Sequence, residues 1–178
     1  MDPQPDITAR FEREILPHLD AAYHLALWLT ASEHDARDVV QEATLRAFRF
    51  FSGFRSGSAR AWLLSIVRNT SHTWLQRHRN PASFVEFDEE LHDLPDPGLA
   101  PDAQLLQQAS IEAVHEAIIR LPVEFREVII LREMEDCSYK EIAEIAGIPV
   151  GTVMSRLARG RRQLCEALAT HPARGGQP

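Results

Sequence analysis

The sequence predicts an all-α protein with two small helical domains, joined by an acidic, Pro-rich linker and ending in a helix-turn-helix. Three observations support this fold class. Apolar residues recur three and four positions apart in both halves of the chain, which is typical of amphipathic helices. No segment alternates apolar and polar residues for long enough to predict a strand. Four prolines interrupt residues 81–103, so one continuous helix cannot join the halves.

Charge is distributed unevenly along the 178 residues, whose net charge is −7. Residues 81–103 contain seven acidic residues and no Lys or Arg. The flanking segments are near neutral, with ten basic and nine acidic residues in 1–80 and nine and ten in 104–178. Because the acidity is confined to the linker, each domain can still present a basic face to a nucleic acid.

Several classes of function are not indicated. The chain lacks a phosphate-binding glycine loop and a nucleophile elbow, which favours a protein that is not an enzyme and needs no cofactor. Its eight histidines are scattered, so no metal site is expected. Cys137 and Cys165 are expected to be free thiols, with a redox pair as the lesser alternative. No membrane insertion and no secretory signal are expected, which predicts a cytoplasmic location.

The first domain, residues 1–80, is expected to hold four helices. Ser32 and Asp35 form a start signal for the third helix. A loop with two glycines and three serines, 51–58, precedes the last helix. The expected helices are Ile7–Leu16, Leu19–Leu29, Ser32 to about Phe50, and Ala59 to about Arg79.

The third helix has two distinct faces. Its predicted buried stripe consists of Val39, Val40, Ala43, Ala47 and Phe48. Polar residues three and four positions apart share another face, namely Asp38, Gln41, Glu42 and Arg46. The pattern alone leaves two interpretations open, a solvated polar surface and a docking face for another protein.

The loop 51–58 carries groups suited to unpaired bases. Phe54 offers a ring for stacking, while Arg55 and Ser56 offer hydrogen bonds to base edges. In the helix that follows, Trp62 is expected to be a core residue, and Trp74 less clearly so. Arg60 and Arg68 flank the apolar stripe of that helix.

The second domain, residues 104–170, ends in a basic two-helix motif, and a disordered tail, 171–178, is expected after it. Ser138 and Glu141 form a capping box, and Gly147 ends the first helix of the motif. Pro149 is expected in the first turn of the second helix. Thr152, Ser155, Arg156 and Arg159 are expected to face outward, and with Arg161 and Arg162 they favour DNA binding over a merely solvated basic face.

Taken in order, these segments resemble bacterial RNA polymerase sigma factors of the extracytoplasmic-function (ECF) group. DARDVVQEATLRAF resembles the polymerase-docking helix of that family, and ARAWLLSIVRNTSHTWLQRHR its promoter-melting helix. LPVEFREVIILREMEDCSYKEIAEIAGIPVGTVMSRLARGRRQL resembles its C-terminal DNA-reading domain. The resemblance extends over about residues 8–168.

The resemblance implies a promoter-specificity subunit that is a monomer when free and binds core RNA polymerase and promoter DNA. An anti-sigma factor is a further candidate partner. The implied polymerase contacts are Asp35, Asp38, Gln41, Glu42 and Arg46. The implied minus-ten contacts are Phe54, Arg55, Ser56, Arg60, Arg68 and Asn69. The implied minus-thirty-five contacts are Thr152, Met154, Ser155, Arg156, Arg159 and Arg162.

Two positions depart from the family pattern, and two other functions stay open. Met154 stands where the family often has Lys or Arg, and Gly160 where it often has Ala. One alternative is a stand-alone helix-turn-helix regulator, which leaves the docking helix and the linker unexplained. The other is an adaptor that has lost promoter recognition, which Met154 slightly favours.

Overall fold

All regular elements in the described part of the chain are helices, as predicted. The structure is a computed structural model that describes residues 6–78 and 101–170, with side chains from 110 onward in the second range. The predicted tail 171–178 and all but the last three residues of the predicted linker 81–103 lie outside the described residues. No helix in the described ranges is long and apolar enough to cross a membrane.

The N-terminal unit has its helices within two residues of the expected bounds. They are α1 (Ile7–Ile15), α2 (Leu19–Thr30), α3 (Glu33–Phe50) and α4 (Ala59–Arg77), with short 3-10 turns at Leu16–His18 and Phe51–Gly53. Ser32 Oγ accepts a hydrogen bond from the Asp35 N–H, and Ser58 Oγ one from the Ala61 N–H. These side chains satisfy N–H groups that the first helical turn leaves unpaired.

The core of the N-terminal unit lies between α2, α3 and α4. Leu25, Leu29, Val39, Leu63 and Val67 are fully buried there or nearly so. The prediction that Phe48 belongs to the buried stripe was wrong, because 43% of Phe48 is exposed. Its ring makes an edge-to-face contact with that of Phe11, with centroids 5.1 Å apart.

The C-terminal unit contains α5 (Pro101–Arg120), α6 (Val123–Ile129), α7 (Tyr139–Ala146) and α8 (Val150–Ala169). A π-helical turn, Ile130–Met134, continues α6. Both halves of the capping box at Ser138 and Glu141 are formed, and Gly147 ends α7 at φ 66°. Pro149 is the N-cap of α8, one position before the first turn in which it was expected.

Helices α6 and α8 approach each other closely at Gly160. A Cβ atom at this position would lie 3.1 Å from Ile129 Cγ1 and 3.4 Å from Phe125 Cβ. Around this contact, Val128, Ile142, Val153 and Leu157 form a buried apolar core. The sequence-level departure at Gly160 therefore has a packing reason, since glycine lets the two helices come together.

The two units share one continuous apolar core, because α4 packs against α7 and α2 against α6. Arg126 of α6 reinforces this contact. Its guanidinium donates to the carbonyl oxygens of Trp28 (3.1 Å) and Leu29 (3.3 Å) in the last turn of α2, and to those of Ile119 and Leu121 (3.1 Å) in its own unit. A cation at the C-terminal end of a helix is favourable, because the last carbonyl groups carry partial negative charge.

Candidate functional site

The polar face of α3 is open to solvent. Asp38, Gln41 and Glu42 are exposed, and Arg46 pairs with Glu42 along the helix. Asp35 is half-buried, and its N–H is engaged by the Ser32 cap. Leu45 extends the same face and is 58% exposed, although no sequence pattern pointed to it as a contact residue. An exposed apolar side chain among charges suits a protein-docking surface.

The loop after α3 forms one wall of a cleft of about 370 Å³. Residues 53–58 line this cleft together with Trp62 of α4 and Glu144 of α7. Phe54 is only 9% exposed, and its ring lies 5.0 Å from that of Trp62. The Arg10 guanidinium donates to the Phe54 carbonyl (2.9 Å) and so holds the loop. Arg55 and Ser56 stay exposed at the rim.

Arg68 of α4 points into the C-terminal unit, where it meets a fully buried carboxylate. Glu127 of α6 accepts from Arg68 Nε (2.9 Å) and Nη2 (3.1 Å). It also lies 2.7 Å from His72 Nε2 and accepts from Arg156 Nη1 of α8 (3.2 Å). Side chains from two helices, α4 and α8, therefore converge on a single carboxylate of α6.

The electrostatics of Glu127 follow from this environment. Burial by itself raises the pKa of Glu127, because a charged carboxylate loses its hydration. The hydrogen bonds from His72 and Arg68, and the positive charges they carry, more than offset burial, so the pKa lies below its ordinary value. Glu127 is thus an anion at neutral pH and matches the cations around it.

A second contact between the units is centred on Glu135, which follows the π-helical turn. Its carboxylate accepts from Arg60 Nη2 at 2.6 Å, and its main-chain carbonyl accepts from the same atom at 2.7 Å. His24 Nδ1 lies 3.6 Å from the other carboxylate oxygen. Arg60 also lies 3.5 Å from the sulfur of Cys137. Burial raises the pKa of this thiol, which keeps it protonated and unreactive.

The outer face of α8 is exposed and basic. Ser155, Arg159 and Arg162 face solvent, and neither arginine has an ion-pair partner among the described residues. Met154 is 54% exposed on this helix, whereas Thr152 and Arg156 are half-buried. Of the predicted minus-thirty-five residues, Arg156 is thus the one that turns toward Glu127.

Four residues of this region escaped the sequence analysis, namely His72, Arg126, Glu127 and Glu135. One signal could have pointed to two of them. Apolar residues occupy Phe125 and each position from Val128 to Leu131, so most of this helix packs against the core. Arg126 and Glu127 are charged residues within this segment, and they need partners where folding removes them from water.

Family models match both units. The model described as Sigma-70 region 2 matches residues 15–80, and that described as Sigma-70, region 4 matches residues 111–164. The chain is 34% identical to the RNA polymerase sigma-H factor of Pseudomonas aeruginosa over 169 residues, which cover 89% of this chain and 86% of the relative. It is 38% identical to the ECF RNA polymerase sigma-E factor of Escherichia coli over 137 residues, 73% of this chain and 72% of the relative.

The chain belongs to the ECF RNA polymerase sigma factors. A longer relative is the ECF sigma factor SigE of Mycolicibacterium smegmatis, which is 34% identical and of which the matched part spans 62%. Sigma factors are DNA-binding transcription initiation factors rather than enzymes. Residues 15–80 correspond to region 2 and residues 111–164 to region 4.

Solved structures of sigma factors have the same architecture. The sigma factor RpoE of Bartonella quintana, solved in complex with the anti-sigma factor NepR, matches 92% of this chain and 99% of its own with a TM-score of 0.68 and 28% identity. CnrH, solved with the cytosolic domain of CnrY, matches 96% of this chain and 92% of its own with a TM-score of 0.63 at 24% identity, which supports the fold alone.

Proposed function

We propose that this sigma factor docks on core RNA polymerase through α3, opens the minus-ten element with α4 and its preceding loop, and reads the minus-thirty-five element with α8. The observation that carries the proposal is that three distinct surfaces follow one another along a single chain. An exposed acidic face, an aromatic cleft and an exposed basic helix match the three tasks of a sigma factor. A stand-alone regulator would need only the last.

The docking surface consists of Asp38, Gln41 and Glu42 with Leu45 and Arg46. Its charges are solvent-accessible, and the Asp38 and Glu42 side chains are 60% and 48% exposed. Burying Leu45 against a partner would remove apolar area from water. Asp35 supports the start of α3 through the Ser32 cap and lies at the edge of this surface.

Minus-ten capture is assigned to the cleft between residues 53–58 and Trp62. Phe54 and Trp62 form an aromatic wall on which an extruded base can stack, and Arg55 and Ser56 stand at the rim for hydrogen bonds. Arg60, Arg68 and Asn69 lie along α4, where the adjacent phosphates of a melted strand would run. Base capture supplies part of the energy that strand opening costs.

Minus-thirty-five recognition is assigned to a helix-turn-helix formed by α7, the left-handed Gly147 and α8. Ser155 and Arg159 are placed to meet base edges in the major groove, while Arg162, Thr152 and Arg156 are assigned to phosphates. Met154 replaces a cation by an exposed apolar side chain, which suits a thymine methyl group.

Residues 81–103 are assigned to the path between the two DNA sites. Their seven acidic residues and absence of Lys and Arg suit a strand that crosses a positively charged channel of the polymerase. An anti-sigma factor that covers both units is a further candidate partner, because the similar RpoE was solved with one.

Run-off transcription tests this function directly. Purified chain and core polymerase are incubated with fragments of the host genome, and transcripts that depend on the chain are expected to share a two-part promoter. The variant Asp38→Arg is expected to lose the polymerase complex, while Glu12→Arg, the same charge change on an exposed part of α1, keeps it. Normal complex formation by Asp38→Arg would remove α3 from the docking surface, and absence of any polymerase complex with the wild-type chain would contradict the proposal.

A further inference from the structure

The minus-ten surface of this chain is covered by glutamates of its own region 4. Glu127 holds Arg68 and His72, Glu135 holds Arg60, and Glu144 stands at the cleft lined by Phe54 and Trp62. We infer that the free chain inhibits itself, because Glu127 and Glu135 engage arginines that a melted promoter strand would use, and Glu144 adds a negative charge at the edge of the cleft. This inference rests on the minus-ten assignment proposed above.

The geometry of the two ion-paired centres supports a specific closure rather than a loose contact. Arg68 binds Glu127 through two parallel N–H donors, an arrangement that fixes orientation as well as distance. Glu127 is 0% and Glu135 7% exposed, so water and salt screen these pairs weakly. A carboxylate and a DNA phosphate present the same kind of acceptor, so one guanidinium cannot serve both fully.

The same closure also involves the minus-thirty-five helix. Arg156 of α8 donates to Glu127 from within region 4, which joins the recognition helix to the contact with α4. If DNA draws Arg68 away, Glu127 loses part of its compensation while remaining buried, and such a charge is unfavourable. Opening should therefore separate the units as a whole and rehydrate Glu127.

Contacts without any predicted DNA role add to the closed arrangement. Arg126 bridges carbonyl groups of α2 and α5, and the rings of Trp28 and His115 lie with centroids 4.7 Å apart at a tilt of 40°. By contrast, Asp38, Gln41 and Glu42 on α3 remain exposed in the closed arrangement. Closure therefore engages Arg60 and Arg68 of the proposed single-stranded DNA surface and leaves the proposed docking face free.

Charge removal at the two centres is the first test. The full chain with Glu127→Gln and Glu135→Gln is compared with the wild type and with a control carrying Glu116→Gln and Glu133→Gln. The control loses the same charge from exposed ion pairs within region 4, with Arg120 and Arg161. The readouts are the radius of gyration from small-angle X-ray scattering and the affinity for a fluorescent oligothymidylate.

We expect the double variant to have a larger radius of gyration and to bind the oligothymidylate at least about tenfold more tightly, as when a competent state populated near 10% becomes dominant. The control should match the wild type in both measurements. An unchanged radius, or an expanded chain with unchanged affinity, would overturn the inference. Core-polymerase binding is measured in parallel, so a failure of the proposed function shows as lost binding by the wild-type chain.

A charge exchange keeps the test decisive if the double Gln variant does not fold. Arg60→Glu alone places two carboxylates together and should expand the chain, whereas Arg60→Glu combined with Glu135→Arg restores an opposite-charge pair and should return the radius to the wild-type value. Circular dichroism checks that both chains keep their helix content. An equal radius for the single and the exchanged variant would contradict closure through this pair.

Discussion

The arginines of α4 and those on the outer face of α8 have opposite surroundings, although both sets are predicted to contact DNA. Arg60 and Arg68 meet buried carboxylates of the other unit. Arg159 and Arg162 are exposed and have no ion pair within the described residues. The difference indicates that Arg60 and Arg68 must exchange partners before they bind DNA, whereas Arg159 and Arg162 are already exposed to it. Substitutions in the first set should therefore change stability, and substitutions in the second only binding.

The largest effect is expected from Glu127→Ala. It removes the carboxylate that Arg68, His72 and Arg156 share and leaves the two guanidinium charges close together in a partly buried place. Breaking one side of a buried ion pair typically lowers the free energy of unfolding by about 3–5 kcal/mol. Urea unfolding followed by circular dichroism measures this loss of unfolding free energy. The exposed pair of Glu133 with Arg161 gives the control, since Glu133→Ala should cost less than about 1 kcal/mol.

The contribution of Glu127 to the free energy of unfolding should depend on pH in the acid range. The pKa of Glu127 lies below its ordinary value of 4.5 in the folded chain, so the folded state binds the proton less tightly than the unfolded state. Its contribution is therefore complete above about pH 4.5 and is lost as the pH falls through the folded pKa. The difference in unfolding free energy between wild type and Glu127→Gln should shrink over that acid range. A difference that stayed constant would show that the ionised form of Glu127 is not what stabilises the fold.

An intermediate loss of stability is expected for Arg68→Ala, and comparison with Arg159→Ala tests the contrast between the two sets of arginines directly. Arg68→Ala removes two hydrogen bonds to Glu127. A hydrogen bond to a charged group typically contributes about 1.5–3 kcal/mol to the free energy of unfolding. Arg159→Ala should change the unfolding free energy by less than about 0.5 kcal/mol, because an exposed side chain without partners is lost. Denaturant unfolding of both variants provides the comparison. Equal losses of stability would contradict the contrast between the helices.

Arg159→Ala should instead affect promoter binding. Loss of a base-edge contact typically lowers duplex affinity by about 1–3 kcal/mol and relaxes sequence preference at one position. Binding to the minus-thirty-five duplex, once run-off mapping has defined it, measures this change. An unchanged affinity and preference would remove Arg159 from the recognition surface.

The helices and their ends could be predicted from the sequence because the signals are local. Ser32, Ser138 and Gly147 each act on the turn in which they stand, so their capping and stop signals are confirmed by the structure. Phe48 shows the limit of this approach. Helical periodicity placed Phe48 on the inner stripe of α3. Its burial, however, is decided by how α1 packs beside it, since its ring contacts Phe11 of that helix.

The interface between the units could not be predicted in the same way. Arg60 and Glu135 are 75 residues apart, and Arg68 and Glu127 are 59 apart, so no local pattern joins them. The π-helical turn Ile130–Met134 also lacks a clear sequence signal, and Glu135, which pairs with Arg60, directly follows it. The roles of Arg60, Arg68 and Arg156 in DNA binding stay predictions. In the structure each of these arginines pairs with a carboxylate of the chain itself, Glu135 for Arg60 and Glu127 for the other two.

The smallest effects should come from substituting the two glycines of α8. Gly151 lies on the exposed face of this helix and Gly160 on its buried face. Gly151 has open space around the position of a Cβ atom, so Gly151→Ala should raise the unfolding free energy by about 0.5–1 kcal/mol through helix propensity. Gly160→Ala gains the same propensity but brings a methyl group within 3.1 Å of Ile129 Cγ1 and 3.3 Å of its Cδ1. The Ile129 side chain must shift, so the gain should be smaller or reversed. Thermal unfolding of both variants measures the difference, and a larger gain at Gly160 would mean that α6 and α8 are not closely packed there.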